Sequence, residues 1–290
     1  MLRTADRHAD VLADGDPTAT EFRLTAAELR MICELAMRHA GIVLNESKRN
    51  MIYSRLTRRL RQLRLASFSE YCELLARGDT HELREFVNCI TTNLTAFFRE
   101  PHHFEHMQAE AMPRLCARTQ DRVLRIWSAG CSTGEEPYSI AMAVLEVLPS
   151  GWDVRILASD LDTNVLAHAE LGVYDAERVR DLPRGRLQRW FQKGKGTNAG
   201  KVRVIDAVRE RVTFRQVNLV QPWPVRGPLD VIFCRNVVIY FDKPTQRELF
   251  DRFADVLRDG SPLYIGHSET LFRVSERFES LGRTVYRKSA

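Results

Sequence analysis

The chain has 290 residues, of which 44% are hydrophobic and 28% are charged, so its composition excludes a mainly disordered protein and allows about two domains with packed cores. No apolar run reaches the length of about 18 residues that a membrane span needs, so membrane insertion is not predicted. The formal net charge of +5 is a mild excess, compatible with nucleic acid, an acidic protein partner or neither.

Residues 1–19 are predicted to be a polar tail, since they lack the apolar core of a signal peptide. A chain with neither a leader nor a membrane span is expected in the cytoplasm.

The six cysteines include no C-x-x-C pair and are predicted to be reduced thiols. No metal site is predicted, because the spacing places no carboxylate or sulfur partner beside His102, His103 and His106.

The segment 20–80 is predicted to be an all-helical domain. Apolar residues recur at helical spacing over Thr25–His39 and about Ser47–Leu65, and a third helix is predicted from about Ser69 to Ala76, where Gly78-Asp79 follows as a breaker. A linker helix over 81–94 is then expected to lead into a second domain.

From Val123 onward, short apolar runs alternate with helical patterns, which is typical of a parallel, doubly wound α/β sheet. This α/β domain is predicted to cover 95–290, with strands at 123–128, 153–160, 212–219, 229–236, 262–269 and 283–288. The alternation is interrupted at about 186–213, where the glycine-rich stretch KGKGTNAG (193–200) separates two apolar runs. We predict a small antiparallel β insert there.

Open α/β sheets bind ligands beyond the carboxyl ends of their strands, and the first such end is the loop 128–137. Glu135 and Glu136 lie at the start of a predicted helix, where their charges would repel a phosphate. A nucleoside ligand without phosphates, especially a positively charged one, fits better. Alternatively, the two acids only complement the helix dipole.

Three further strand ends carry polar groups. Asp160 could accept both hydroxyls of a ribose; alternatively, it is the N-cap of the next helix. Asn218 could donate to and accept from an adenine edge; alternatively, it is a turn residue at the end of a strand. The last end contains Cys234–Asn236, followed by Tyr240. Along the chain, the four ends follow the order of an S-adenosylmethionine-binding fold.

Five stretches closely resemble the CheR family of bacterial chemotaxis receptor methyltransferases, and the resemblance covers about residues 20–288. They are TTNLTAFFRE (Thr91–Glu100), WSAGCSTGEEPYSIAM (Trp127–Met142), ASDLDTNVL (Ala158–Leu166), FCRNVVIYFDK (Phe233–Lys243) and GHSE (Gly266–Glu269). The resemblance implies a Rossmann-like, S-adenosylmethionine-dependent methyltransferase sheet behind the helical domain. It also implies methyl transfer to glutamate side chains of chemoreceptors, with S-adenosylhomocysteine as the product.

The resemblance further assigns residues to the site. Those that should contact the cofactor are Asn93, Thr95, Arg99, Glu136, Asp160, Asn218, Leu219, Cys234, Arg235 and Asn236. Arg99 and Tyr240 should lie nearest the transferred methyl group and are the candidate catalytic residues. A glutamate acceptor is already ionised near pH 7, so no general base is needed and positioning should dominate. Arg99 is expected to orient the acceptor carboxylate; alternatively, it pairs with Glu100 or Glu136.

The predicted helix 47–65 is rich in arginine and contains no acidic residue. Arg55, Arg58 and Arg59 are therefore candidates for contact with an acidic helical partner, which the resemblance identifies as the receptor's cytoplasmic helical bundle. The alternatives are a solvated face or nucleic acid, and the scarcity of aromatic residues on that face disfavours single-stranded nucleic acid.

The glycines of the predicted insert, Gly194, Gly196 and Gly200, match the spacing in family members that dock a tethering peptide at the receptor C-terminus. Arg203 lies beside the turn and is a candidate for holding the peptide's carboxylates. A plain flexible turn is the alternative.

We expect a monomer that binds no nucleic acid. A non-catalytic module that binds cofactor and receptor is the rival function, and a nucleic-acid methyltransferase is disfavoured because CRNVVIY replaces an N/D-P-P-Y-type motif.

Overall fold

The computed structural model describes residues 21–289, so the tail predicted over 1–19 lies outside the described residues. The helical domain consists of four helices that pack around one apolar core: α1 (Ala26–Ala40), α2 (Arg49–Leu63), α3 (Phe68–Ala76) and α4 (Thr80–Ile90). The three helices predicted from the sequence over this domain are confirmed, with their ends within about two residues.

The linker helix predicted over 81–94 is wrong at its end. Helix α4 ends at Ile90, and residues 91–96 have no regular structure. Phe86, Val87 and Ile90 are buried in the core of the helical domain, so α4 is part of that domain rather than a spacer. The apolar periodicity predicts the helix but not where it ends, because the polar stretch TTN that follows Ile90 contains no strong helix breaker such as proline.

The second domain begins with α5 (His102–His106), a π-helical turn (Met107–Ala111) and α6 (Met112–Arg118). Strands and helices then alternate in the order β1 (Val123–Ala129), α7 (Glu135–Val147), β2 (Asp153–Asp160), α8 (Thr163–Leu171), β3 (Val173–Asp175), α9 (Arg184–Trp190), β4 (Phe191–Lys193), β5 (Lys201–Val204), α10 (Asp206–Arg209), β6 (Val212–Gln216), β7 (Val231–Cys234), α11 (Lys243–Val256), β8 (Pro262–Ile265), β9 (Phe278–Gly282) and β10 (Val285–Lys288).

Seven strands form the central sheet, in the order β6-β2-β1-β7-β8-β10-β9. The five strands from β6 to β8 are parallel, and β10 pairs antiparallel with both β8 and β9. The predicted parallel α/β sheet is therefore confirmed. Strand β9 was not predicted, because only the first of its five residues is buried and the sequence shows no alternation there.

The small antiparallel sheet is also confirmed, with an addition. Its order is β3-β5-β4, so the predicted hairpin of β4 and β5 gains a third strand that precedes α9. The insert thus begins near Val173 rather than near 186. Strand β3 is only three residues long, too short for a period of two to be recognised.

The helical domain packs against the carboxyl edge of the central sheet. The amide N–H of Val43 donates to the carbonyl of Tyr240 at 2.8 Å. On the neighbouring side, Asn88 Nδ2 donates to Thr163 Oγ1 at 3.0 Å, and the Thr163 N–H donates back to Asn88 Oδ1 at 3.2 Å. None of the helices between residues 21 and 289 combines the length and the apolar character needed to cross a bilayer.

Candidate functional site

A cavity of about 410 Å³ lies between the helical domain and the carboxyl edge of the central sheet, within the size range of small-molecule sites. Ten of the eleven residues predicted to bind cofactor or to catalyse line this cavity: Asn93, Thr95, Arg99, Glu136, Asp160, Asn218, Leu219, Arg235, Asn236 and Tyr240. They come from five separate stretches of the chain, and the fold brings them together because parallel strands present their carboxyl ends on one edge.

Cys234 is the exception. Its side chain is fully buried in the apolar cluster on the α11 side of the sheet and does not line the cavity. Burial raises the pKa of the Cys234 thiol well above its ordinary value, so this cysteine is a core residue rather than a ligand contact.

The two adjacent acids of the first loop face different surroundings. Glu136 lines the cavity and accepts hydrogen bonds from Ser128 Oγ at 2.7 Å and from Arg235 Nη1 at 3.2 Å. Burial raises the pKa of Glu136, and the Arg235 guanidinium opposes that rise. Glu135 is also buried, but it bonds with Thr133 and Arg178 instead. Of the two acids, only Glu136, the one predicted to contact the cofactor, lines the cavity.

Arg235 is the buried cation of the site, a role that sequence patterns did not predict for its side chain. Its guanidinium lies 3.2 Å from the carboxylates of both Glu100 and Glu136 and donates to the carbonyl of Arg99 at 2.5 Å. Only 2% of the side chain is exposed. The ion pair considered for Arg99 is therefore made by Arg235.

Arg99 keeps most of its hydrogen-bonding capacity. Its Nη1 donates to the carbonyl of Leu94 at 2.9 Å, and within residues 21–289 the side chain forms no ion pair. The remaining N–H groups of the guanidinium are available to a carboxylate at the cavity.

Asp160 lies at the end of β2 and does not cap the next helix. Its two carboxylate oxygens accept the N–H groups of Ser132 at 2.8 Å and Asp162 at 3.0 Å, while Asp162 supplies the N-cap of α8. Burial raises the pKa of Asp160, against these backbone hydrogen bonds. Each oxygen has a further lone pair, so the carboxylate suits a diol that would donate two hydrogen bonds.

Asp162 also anchors the segment that follows α4. Its Oδ2 accepts hydrogen bonds from Asn93 Nδ2 at 2.7 Å and from Thr91 Oγ1 at 3.0 Å. Since the side chain of Asn93 is used in this way, the position of Asn93 at the cavity depends on Asp162. The N-cap spacing before α8 was visible in the sequence, but the contact across 69 residues was not.

Asn218 lines the cavity, but its amide is engaged elsewhere. Nδ2 donates to the carbonyl of His39 at 2.8 Å, and Oδ1 accepts the N–H of Val220 at 3.2 Å. The side chain thereby joins the sheet edge to the end of α1. The expectation that the amide reads an adenine edge is not supported by these contacts, whereas a position of Asn218 and Leu219 beside adenine stays a prediction.

Glu269 shapes the loop that carries Asn236 and Tyr240. Its buried carboxylate accepts four backbone N–H groups, those of Gly266, Asn236, Val238 and Ile239. Burial raises the pKa of Glu269, although all four hydrogen bonds favour the ionised form. Asn236 has a φ of 59°, a conformation that such a network can hold in place.

Replacing Glu269 with alanine is expected to lower the free energy of unfolding by about 3 kcal/mol, because four backbone N–H groups, two of them in buried hydrogen bonds, lose their acceptor. Urea denaturation followed by circular dichroism measures the loss. Glu276→Ala, at an exposed position of the following loop, is the matched control and should be neutral. Equal stability of the two variants would contradict the anchoring role.

Glu100 lies beside His102 and His103, so the structure supplies the carboxylate that the sequence did not place there. The three ligand atoms lie within 4.8 Å of one another. Burial opposes ionisation of Glu100, but the hydrogen bond from His267 and the charge of Arg235 outweigh it and lower the pKa to about 2. The guanidinium already balances this carboxylate and would repel a metal cation, so the cluster is an ion-pair network.

The arginines of α2 do not form one uncompensated surface, which corrects the expectation for two of them. Arg59 pairs with Glu82 at 2.5 Å and has 13% of its side chain exposed. Arg55 donates inward to the carbonyls of Ile90 and Thr91. Arg58 is exposed and has no ion pair among the described residues, so it stays a candidate for partner contact.

The glycines of the insert have different structural reasons. A Cβ on Gly194 would come within 2.0 Å of the carbonyl oxygen of Asn198, so only glycine fits. Gly196 and Gly200 have φ values of 57° and 83°, and the space around both is open. Arg203 lies on the central strand β5 and pairs with Asp206 at 3.0 Å on the exposed surface.

Comparison with known proteins identifies the family of both domains. The all-alpha domain of CheR methyltransferases matches residues 27–91, and their S-adenosylmethionine-binding domain matches residues 93–287. Chemotaxis protein methyltransferase 2 of Pseudomonas aeruginosa is 49% identical over 269 residues, which cover 92% of this chain and 94% of that protein. The chemotaxis protein methyltransferase of Escherichia coli is 44% identical, with 91% of each chain covered.

The cavity fits S-adenosylmethionine by its chemistry as well. Two carboxylates line it, those of the buried Glu136 and the half-buried Asp160, and both are suited to a cationic nucleoside rather than to a phosphate. The chain belongs to the CheR methyltransferase family and is an S-adenosylmethionine-dependent methyltransferase of chemotaxis.

Proposed function

We propose that the protein transfers the methyl group to glutamate side chains of chemoreceptors and forms glutamate methyl esters. The observation that carries the proposal is one cavity lined by the carboxylates of Glu136 and Asp160 and by the guanidinium of Arg99, which forms no ion pair within residues 21–289. The acids suit a cationic methyl donor, and the guanidinium suits an anionic acceptor. S-adenosylmethionine supplies an electrophilic methyl group on its sulfonium.

The chain's residues act by positioning in this proposal. Asp160 holds the ribose, and Glu136, fixed by Ser128 and Arg235, faces the cationic end of the donor. Arg99 orients the acceptor carboxylate, and Tyr240 closes the cavity beside it. No base is needed, because a glutamate side chain with a reference pKa of about 4.3 is ionised near pH 7. Charge is neutralised during the transfer, so exclusion of water by the helical domain favours the reaction.

One experiment tests the proposal directly. The protein is incubated with S-adenosylmethionine labelled in its methyl group and with membranes that contain chemoreceptors. Label should appear on the receptors, be released as methanol by mild base, and disappear when the acceptor glutamates are changed to alanine. Label that stays on the alanine receptor, or label in added nucleic acid, would overturn the proposal.

The proposed partner is the cytoplasmic helical bundle of the receptor, and the protein is proposed to act there as a cytoplasmic monomer. A single chain supplies all ten predicted residues around the cavity, which supports action as a monomer. All six cysteines are free, as a reducing compartment would require. Sedimentation at micromolar concentration tests the oligomeric state.

Replacing Arg58 with glutamate is expected to slow receptor methylation about 3- to 10-fold, because an exposed positive charge that attracts an acidic helix is reversed. The affinity for S-adenosylhomocysteine should not change. Steady-state kinetics at two salt concentrations measure the effect, which should shrink in high salt. Arg226→Glu, exposed near the start of β7, makes the same change in net charge and should be neutral. Equal rates for the two variants would remove Arg58 from the partner surface.

The tether expectation concerns the turn at Gly196. Gly196→Val is expected to abolish binding of a peptide from the receptor C-terminus, because a β-branched residue is strained at positive φ and reshapes the turn. Methylation should fall to the rate for a receptor without its tail, since the tether raises the local concentration to about the millimolar range.

Gly78→Val is the control for this change. Gly78 also has positive φ, 76°, in open space, but lies between α3 and α4, away from the insert. That variant should bind the peptide normally. If the unmodified protein binds no peptide and methylates tailed and tailless receptors equally, the tether proposal is wrong.

A further inference from the structure

The segment 91–96 links the two domains and carries Asn93 and Thr95 to the cavity without any helix or strand of its own. Backbone carbonyls outside regular structure need other donors when they lie near a buried site. Here two arginines from separate surface elements supply donors at the two ends of the segment. One comes from α2 and the other from the β insert.

Arg55 of α2 holds the beginning of the segment. Its Nη1 donates to the carbonyl of Ile90 at 2.6 Å and to that of Thr91 at 2.8 Å, and its Nη2 donates to Thr92 Oγ1 at 2.9 Å. These carbonyls lie at the C-terminus of α4, where a cation is also favoured by the helix dipole. The three contacts use both arms of the guanidinium, which a lysine could not reproduce.

Arg178 holds the other end. It belongs to the single helical turn Ala176–Val179 that follows β3 in the insert. Its Nη2 donates to the carbonyl of Thr95 at 3.1 Å and also pairs with Glu135, whose side chain is 1% exposed. The insert is thereby connected to a cavity residue through one side chain.

We propose that Arg55 and Arg178 are positioning residues that fix the segment 91–96 in its cofactor-binding conformation. Each of them links an element proposed for receptor contact, α2 or the insert, to the segment. Arg55 also lines the cavity, whereas Arg178 does not, so an effect of Arg178 on cofactor affinity must pass through the segment. The inference rests on the proposed use of the cavity for S-adenosylmethionine.

The test uses the full chain and four variants: Arg55→Ala, Arg55→Lys, Arg178→Ala and Arg178→Lys. Affinity for S-adenosylhomocysteine is measured by calorimetric titration, and deuterium uptake is measured on peptides that cover 90–97. Each variant is expected to bind about fivefold more weakly or worse, and to exchange faster in those peptides, because charge-assisted hydrogen bonds to the segment are lost. Lysine at 178 keeps a charge beside Glu135, so it separates loss of the Thr95 contact from loss of the ion pair.

Three controls separate positioning from general destabilisation. Arg59→Ala breaks the buried pair with Glu82 and should lower the melting temperature without changing affinity or exchange over 90–97. Arg61→Ala and Arg180→Ala remove arginines whose ion pairs, with Glu21 and Asp181, are exposed, and both should leave affinity unchanged.

Two outcomes would overturn the inference. One is unchanged affinity in the four variants while Asp160→Ala still weakens binding. The other is an affinity loss in Arg59→Ala as large as that in Arg55→Ala, which would mean that only domain stability matters. If Asp160→Ala also left the affinity unchanged, the proposed use of the cavity would fail, which is a separate result.

Discussion

Asp160→Ala is expected to weaken the binding of S-adenosylmethionine by about 2–3 kcal/mol, the value of a pair of charge-assisted hydrogen bonds to a ribose diol. The carboxylate is half-buried at the end of β2 and is fixed by the N–H groups of Ser132 and Asp162. Its orientation therefore does not depend on the ligand, and its free lone pairs are held ready for the diol. Calorimetric titration measures the affinity.

The control for this change lies on the same strand. Asp153 begins β2 at the opposite edge of the sheet and pairs with Arg155 at 2.7 Å on the surface. Asp153→Ala should leave cofactor affinity unchanged. An unchanged affinity in Asp160→Ala, with the fold intact by circular dichroism, would remove the ribose assignment.

The raised pKa values of Asp160 and Glu136 add a dependence on pH. S-adenosylmethionine carries a net positive charge, so it binds best when both carboxylates are ionised, and its affinity should fall as the pH drops through their raised pKa values. The fall should begin at a higher pH than the ordinary values of 3.8 and 4.5 would give. S-adenosylhomocysteine lacks the sulfonium charge, so the affinity for S-adenosylmethionine divided by the affinity for S-adenosylhomocysteine should rise with pH. A constant ratio would contradict this electrostatic role.

Arg99→Ala is expected to lower kcat/KM for receptor methylation about 100-fold, the order of loss that follows when a reacting group is misplaced by about 1 Å. The guanidinium lies at the cavity with one hydrogen bond, to the carbonyl of Leu94, and is not neutralised by Glu100 or Glu136. It can therefore bind the acceptor carboxylate with two N–H groups. Radiolabelled methyl transfer measures the rate.

Arg99→Lys is the matched variant for this prediction. A lysine keeps the charge but loses the two-armed geometry, so it should recover only part of the rate. The loss of affinity for S-adenosylhomocysteine in Arg99→Ala should be smaller than the loss of rate. If affinity and rate fell by the same factor, Arg99 would be a cofactor contact only.

Much of the architecture could be predicted from local patterns. The helices α1 to α3 each bury one face, with apolar residues at helical spacing, and β1, β2 and β7 are short apolar runs that are largely buried, so both patterns can be recognised in the chain. The alternation of strands and helices predicted a parallel sheet, and a parallel sheet collects its carboxyl ends on one edge. That geometric rule places Glu136, Asp160 and Arg235 at one edge of the predicted sheet, and the resemblance to the CheR family selects them as cofactor contacts.

The sequence by itself thus predicted ten residues that line the cavity, with Cys234 as the one error, whereas the tertiary structure decided which of them bind one another. Arg99 and Arg235 are both arginines that were predicted to contact the cofactor, but only Arg235 is buried between two carboxylates. Arg55, Arg58 and Arg59 share a helix, but α4 receives two of their side chains and leaves Arg58 to solvent. Such pairings join residues far apart in the chain, and their energies depend on burial and distance, which composition and spacing do not encode.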